Sequence, residues 1–206
     1  MKTLAILSRK GGTGKTTLAV HLSVEAERAG KTTALIDLDP QASAVRWSET
    51  RGQESPTVIS AHSTRLPQIL HTAKNNGVDI AILDTAPHTE AAALDAAKVA
   101  DYGIIPTRDA IFDLQAIGST VQIVDMAKLK SCIVFNAVPA RSSMIEQAQQ
   151  AVEVYDVSCA PCMLGNRVAF SHAVVDGKTA SESEPTGKAS KEVKALYKFL
   201  AKEMGV

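Results

Sequence analysis

The chain has 206 residues, a length one hydrophobic core can serve, and its 45% hydrophobic content is ordinary for a globular domain. Lysine and arginine balance aspartate and glutamate at 22 each, which excludes a strongly cationic nucleic-acid binder and a disordered acidic chain, so DNA affinity would have to come from a local patch. The N-terminus enters a strand without the ordered features of a signal peptide, and no apolar run reaches the roughly 20 residues that span a bilayer, so a cytoplasmic protein is expected.

In chain order, hydrophobic periodicity predicts a strand over Leu4–Leu7, a helix over Lys15–Ala29, a strand over Thr32–Asp37 and a helix near Ala42–Thr50. A helix over Thr64–Asn75, a strand over Ile80–Asp84, a helix over Glu90–Val99 and a strand over Tyr102–Ile105 follow. The pattern continues with a helix over Phe112–Ala127, a strand over Cys132–Phe135, a helix over Ser142–Val152, a strand near Val154–Ser158 and a last helix over Ala189–Met204. Such alternation predicts an α/β fold, a mostly parallel central sheet flanked by helices on both faces, in one domain over residues 1–206. In sheets of this kind ligands collect beyond the C-terminal strand ends, where Gly11–Thr17, Asp37–Asp39 and Asp84 would converge.

Lys10-Gly11-Gly12-Thr13-Gly14-Lys15-Thr16-Thr17 follows the first apolar run directly. A strand, a tight loop and a helix start in that order aim backbone N–H groups at a phosphate. The glycines let the chain curl around the β-phosphate, Lys15 supplies charge to the β/γ-oxygens, and the Thr16 hydroxyl suits Mg²⁺. Lys10 is a second lysine, free to fold over its own phosphates or to reach those bound by a second subunit.

Asp37-Leu38-Asp39-Pro40-Gln41 closes the second strand with two carboxylates one residue apart. Strand-end aspartates serve as turn formers and helix caps, but beside a phosphate loop one can stand near the metal or Lys15 and the other near an attacking water. Asp84 ends an apolar strand as a hard oxygen ligand for Mg²⁺, and His88, just beyond it, is a solvent-facing loop residue or a phosphate contact. The Asn136 amide offers acceptor and donor together to an adenine edge, or caps a turn. Near the C-terminus Arg167 is a candidate phosphate-backbone contact. The last helix puts Val193, Leu196, Tyr197 and Leu200 on one face and Lys191, Lys194, Lys198 and Lys202 on another, either a solvated face or a DNA-binding stripe. Cys159 and Cys162 have CxxC spacing without a second pair, so they read as structural rather than as a metal centre.

The loop at Lys10–Thr17 resembles the deviant Walker A motif of the ParA/MinD ATPases, in which the lysine matching Lys10 completes the partner's site in an ATP-bound sandwich dimer. Asp37–Gln41 resembles the family's second motif, Asp84 its Walker B element, and Ile133–Pro139 the segment whose asparagine faces adenine; Pro87-His88 departs from the glycine-rich continuation of many relatives. Weaker likeness runs through Gly165–Phe170, Gly177 and Glu182, a pattern of an arginine-bearing helix, a glycine and an acid.

The resemblance spans nearly the whole chain and is strongest to short plasmid-partition ParA proteins without a helix-turn-helix extension. It implies a P-loop NTPase fold, ATP/ADP and Mg²⁺ as ligands, and Lys10, Lys15 and Asp39 as catalytic residues. Gly11, Gly12, Thr13, Gly14, Lys15, Thr16, Thr17 and Asn136 would hold nucleotide, and Thr16, Asp37 and Asp84 the metal. It further implies an ATP-dependent homodimer on nonspecific double-stranded DNA, located on the nucleoid, with a ParB-like centromere-binding adaptor. The MinD branch offers the alternative of a membrane surface, as does a nucleotide-controlled adaptor for a protein cargo; the need for the last helix to cover the sheet disfavours the membrane.

Overall fold

The computed structural model describes residues 1–87 and 89–206, so the expectation for His88 lies outside the described residues. The elements are β1 (Lys2–Ile6), α1 (Lys15–Arg28), β2 (Thr33–Asp37), α2 (Ser43–Arg51), β3 (Thr57–Ser60), α3 (Leu66–Asn75), β4 (Ile80–Asp84) and α4 (Glu90–Val99). After them come β5 (Tyr102–Thr107), α5 (Ile111–Ala127), β6 (Ser131–Phe135), α6 (Ile145–Val152), α7 (Val168–Val175), α8 (Ala180–Ser183) and α9 (Lys188–Met204).

The strands form one sheet in the order β3-β2-β4-β1-β5-β6, and every pair is parallel. Parallel strands need crossovers, the crossovers put helices on both faces, and a strand covered on both faces must be apolar at every position. β2 and β4 are buried throughout for this reason. Alternate side chains feed two cores. Leu4, Ile6, Leu35, Ile82 and Val134 meet Leu18 and Leu22 of α1 and Leu196 and Leu200 of α9. Ala5, Ile36, Leu83, Ile133 and Phe135 meet Leu66, Ala96, Ile117 and Val152 from α3 to α6 on the other face. Each fully buried leucine or isoleucine contributes about 1.5–3 kcal/mol.

Several details depart from the sequence expectations. No strand forms over Val154–Ser158: Val154 is 78% exposed, Asp156 is left-handed at φ 31°, and only Cys159 bridges to Ile133. β3 carries no apolar alternation because it is a four-residue edge strand paired on one side alone. The helix expected from Ser142 starts at Ile145, because the Ser142 hydroxyl turns to the Asp109 carboxylate. Arg167 caps α7 from outside rather than lying within it. β5 also runs on through Pro106, which stands past the last β1–β5 pair, Ile6 with Ile104, where the ladder asks no N–H of it.

Candidate nucleotide site

The sheet register sets Asp37 beside Asp84 across β2 and β4, with Ile6 at the end of β1 on the other side of Asp84. The chain leaves β1 into the glycine loop at this edge. Gly14 is the residue before α1, at φ 87°, and a Cβ there would strike the Asn136 amide, whose Nδ2 donates to the Thr13 carbonyl at 2.7 Å. Asn136 is thus held against the loop from β6. The first helical bond runs from the Leu18 N–H to the Gly14 carbonyl (2.9 Å), so the amides of Lys15, Thr16 and Thr17 have no carbonyl behind them within the helix. They form an anion-binding terminus.

Lys15 is buried, and its Nζ donates to the Lys10 carbonyl at 3.2 Å. Burial lowers its pKa, while the Asp84 and then the Asp39 carboxylates raise it back in part. Asp84 is 1% exposed, and neither carboxylate oxygen has a hydrogen-bond partner among the described residues. Burial pushes its carboxyl up to about 7; the nearby Thr16 hydroxyl pulls it down, the Asp37 carboxylate pushes it up, Lys15 pulls it down and Asp39 pushes it up. A buried carboxylate left this way is costly unless a cation meets it. Among the described residues no three His, Cys, Asp or Glu side chains are grouped to hold an ion by themselves. The donors fit Mg²⁺, which keeps waters and phosphate oxygens and asks for only one or two carboxylates.

The two aspartates of β2 part company. Asp37 is fully buried and its oxygens accept the N–H groups of Asp39 (3.0 Å), Ala44 (2.9 Å) and Val45 (3.4 Å), fixing the turn and the start of α2. Burial raises its pKa and those N–H groups lower it in part. Asp39 is half-buried, with Oδ1 on the Gln41 N–H at 2.9 Å. Lys10 points outward at the mouth and pairs with Asp113 of α5, Nζ to Oδ2 3.0 Å. Arg108, just past β5, donates from Nη2 to the Gly12 carbonyl at 2.7 Å. No local motif marks Asp113 or Arg108, because each meets the loop from about a hundred residues away.

Residues 4–180 match the family described as the CobQ/CobB/MinD/ParA nucleotide binding domain. The chain belongs to this family. Among the relatives, "Maintenance of carboxysome distribution protein A" of Halothiobacillus neapolitanus is 26% identical, covering 91% of this chain and 90% of its own. "Protein IncC" of Escherichia coli is 26% identical over 100% of this chain and 71% of its own. The crystal structure of the Pyrococcus furiosus cell division ATPase MinD superposes with a TM-score of 0.81 at 21% identity, covering 98% of each chain. The six-stranded parallel sheet with its glycine loop is therefore the nucleotide-binding ATPase fold of the ParA/MinD family.

Beside the loop of this family member lies a cavity of about 380 Å³, walled by Gly14, Thr17, His21, Arg108, Asn136 and Phe170 among others. His21 forms part of the cavity wall: its Nδ1 donates to the Thr17 carbonyl at 2.8 Å, Nε2 has no partner among the described residues, and the ring meets Phe170 edge-on at 5.1 Å. Burial pushes its pKa down to about 4. A larger depression of about 760 Å³ along the β6 edge contains none of the residues predicted for the site.

Away from the loop, Lys191, Lys194, Lys198 and Lys202 are all exposed on α9, while Ala189, Val193, Leu196, Leu200 and Met204 are buried. Arg167 does not stand free beside them: its Nε donates to both Glu192 oxygens (3.0 and 2.9 Å) and Nη2 pairs with the same carboxylate. Tyr197 and Phe199 are partly buried and pack against the core, and no helix among the described residues is long and apolar enough to cross a membrane. Cys159 and Cys162 pack on opposite core faces, and Cys132 of β6 is fully buried in the same core as Cys162.

Proposed function

We propose that this chain is a partition ATPase: an ATP-bound homodimer that binds nonspecific double-stranded DNA, is thereby nucleoid-associated, and is reset by Mg²⁺-dependent hydrolysis. The observation that carries the reading is the convergence at one strand edge of free loop amides, a buried Lys15 and an unpartnered Asp84, which together ask for a polyphosphate and a cation.

In this reading Gly11 to Thr17 and Asn136 bind nucleotide, the loop amides and Lys15 orient the phosphates, and Asn136 offers its remaining acceptor to the base. Thr16 and Asp84 hold Mg²⁺, with Asp37 bracing the end of β2 beside them. Bound there, Mg²⁺ supplies positive charge to the phosphoryl oxygens. Asp39, which keeps one oxygen off the backbone, orients the attacking water. Lys10 leaves Asp113 for phosphates bound by a second copy, so the γ-phosphate adds contacts present only in the dimer. The four α9 lysines of each copy then bind DNA phosphates without reading bases. IncC among the relatives supports a partition role, for which this reading takes a ParB-like adaptor as the stimulating partner, and the Halothiobacillus relative, named for carboxysome distribution, supports a protein assembly as the other kind of cargo.

Co-sedimentation with DNA and with anionic liposomes, in ADP and in ATP, tests the reading alongside mass by light scattering. A dimer that forms in ATP and sediments with DNA, losing it steeply as salt rises, is expected. ATP-dependent capture on liposomes but not on DNA would overturn it in favour of the membrane alternative, and Lys10→Ala should bind ADP yet remain monomeric in ATP.

A further inference from the structure

We propose that Arg108 is a phosphate-binding residue of the nucleotide site, reaching over the glycine loop from the segment between β5 and α5. The inference rests on the nucleotide-site reading above and adds to it a residue that lies in none of the three motifs.

Lys10, Arg167 and Arg108 stand at or beside this mouth, and they differ in what already satisfies them. Lys10 is paired with Asp113 at 3.0 Å, and Arg167 is spread over both oxygens of Glu192. Arg108 has no acidic partner among the described residues; its one bond there goes to the neutral Gly12 carbonyl at 2.7 Å. A guanidinium carries five N–H donors in a rigid fork, so this bond uses one and orients the rest. The side chain is exposed and forms part of the wall of the cavity that Gly14, Thr17 and Asn136 also line. Its full charge therefore faces the space beside the loop amides.

The segment that presents it is anchored at several points. The Thr107 carbonyl accepts the Asn136 N–H at 2.7 Å, Asp109 accepts the Ser142 hydroxyl, and Asp113 holds Lys10. A cation on such an arch loses little freedom when an anion arrives, which is the condition under which a charge-assisted hydrogen bond contributes fully. The chemistry it suits is a nucleoside di- or triphosphate, through oxygens on the side of the loop that Lys15 does not reach.

Affinities of the full chain for Mg-ADP and Mg-ATP, measured by calorimetry at two salt concentrations for wild type, Arg108→Ala, Arg108→Lys, Arg108→Gln and Lys15→Ala, test the assignment. Arg108→Ala should weaken both nucleotides about tenfold at low salt, with the ratio to wild type shrinking as salt rises. Arg108→Gln keeps a donor for the Gly12 carbonyl but no charge, and Arg108→Lys keeps the charge without the fork. Lysine should restore part of the affinity, through its charge, and glutamine little. Equal rescue by both would mean that Arg108 only tethers the loop, and wild-type affinity in the alanine variant would remove it from the site; either result overturns the proposal. If wild type and Lys15→Ala bind nucleotide alike, the nucleotide-site reading itself fails, a result distinct from any pattern among the Arg108 variants.

Discussion

The edge of the sheet at Asp84 and the outer face of α9 are both rich in charge, yet they inform differently. At the edge, Asp84 is buried with both oxygens unpartnered and Lys15 is desolvated against a backbone carbonyl. On α9, Lys191, Lys194, Lys198 and Lys202 stand in water and cost the fold nothing. A buried unpaired group carries a penalty that something must offset, so its presence argues for a ligand; an exposed lysine is satisfied by solvent and argues for none. Function at the first region can be read from energetics, whereas at the second it has to be read from what binds.

The largest effects should fall at the buried edge. Lys15→Ala should lower nucleotide affinity on the order of 100-fold, since it removes a charge-assisted contact from a desolvated site. Asp39→Ala should leave nucleotide binding near wild type and cut turnover by about 10²–10³-fold, the range for a residue that positions or activates a nucleophile. Nucleotide titration beside steady-state phosphate release separates the two. An Asp39→Ala enzyme with unchanged turnover would remove Asp39 from the chemistry and narrow the contrast between the two regions.

His21 offers a test that needs no ligand. Its pKa is depressed to about 4, so between that value and the ordinary 6.5 the unfolded chain binds a proton that the folded one refuses. Stability from this group therefore falls as pH drops through that window, by about 2 kcal/mol at pH 5 relative to neutral pH. Asp84 works in the opposite direction, because a raised carboxyl pKa favours the fold as it protonates. The difference between wild type and His21→Gln isolates the histidine: urea unfolding at pH 7 and pH 5 should show the variant losing about 2 kcal/mol less than wild type. Parallel losses would mean that the ring gains a proton, or a partner for Nε2, inside the fold.

The same contrast explains what the sequence could disclose. β4 and α4 fall on their predicted bounds, and the other strands and helices up to Val152 mostly within a few residues, because burial on both sheet faces writes an apolar run and each helix an apolar stripe. The loop at Lys10–Thr17 was legible because strand, turn and helix start are contiguous. β3 leaves little pattern because it is an exposed edge, and the turn at Asp156 carries a strand-like pattern because valines flank it without being buried. Asp113, Arg108 and Glu192 were equally invisible: each acts on a residue far along the chain, and only the fold brings the charges together.

The smallest effects belong to α9, and they decide whether its charge does more than dissolve. Each lysine is exposed and the buried face of the helix lies opposite, so substituting one should change stability by no more than about 0.5 kcal/mol. If the lysines meet DNA phosphates in the ATP state, each lost contact should flatten the logarithmic salt dependence of binding by roughly 0.9, with little dependence on sequence. Arg167→Ala makes the contrasting control. Its guanidinium is committed to Glu192, so its loss should disturb the join between the residues before α7 and α9 while leaving the salt slope near wild type. Lys194→Ala with Lys198→Ala, measured by fluorescence anisotropy on a random-sequence duplex in ATP, should lower the slope by about 1.8 per copy if both touch phosphate. An unchanged slope would return the row to an ordinary solvated face and leave DNA binding, if present, to be sought at the nucleotide edge.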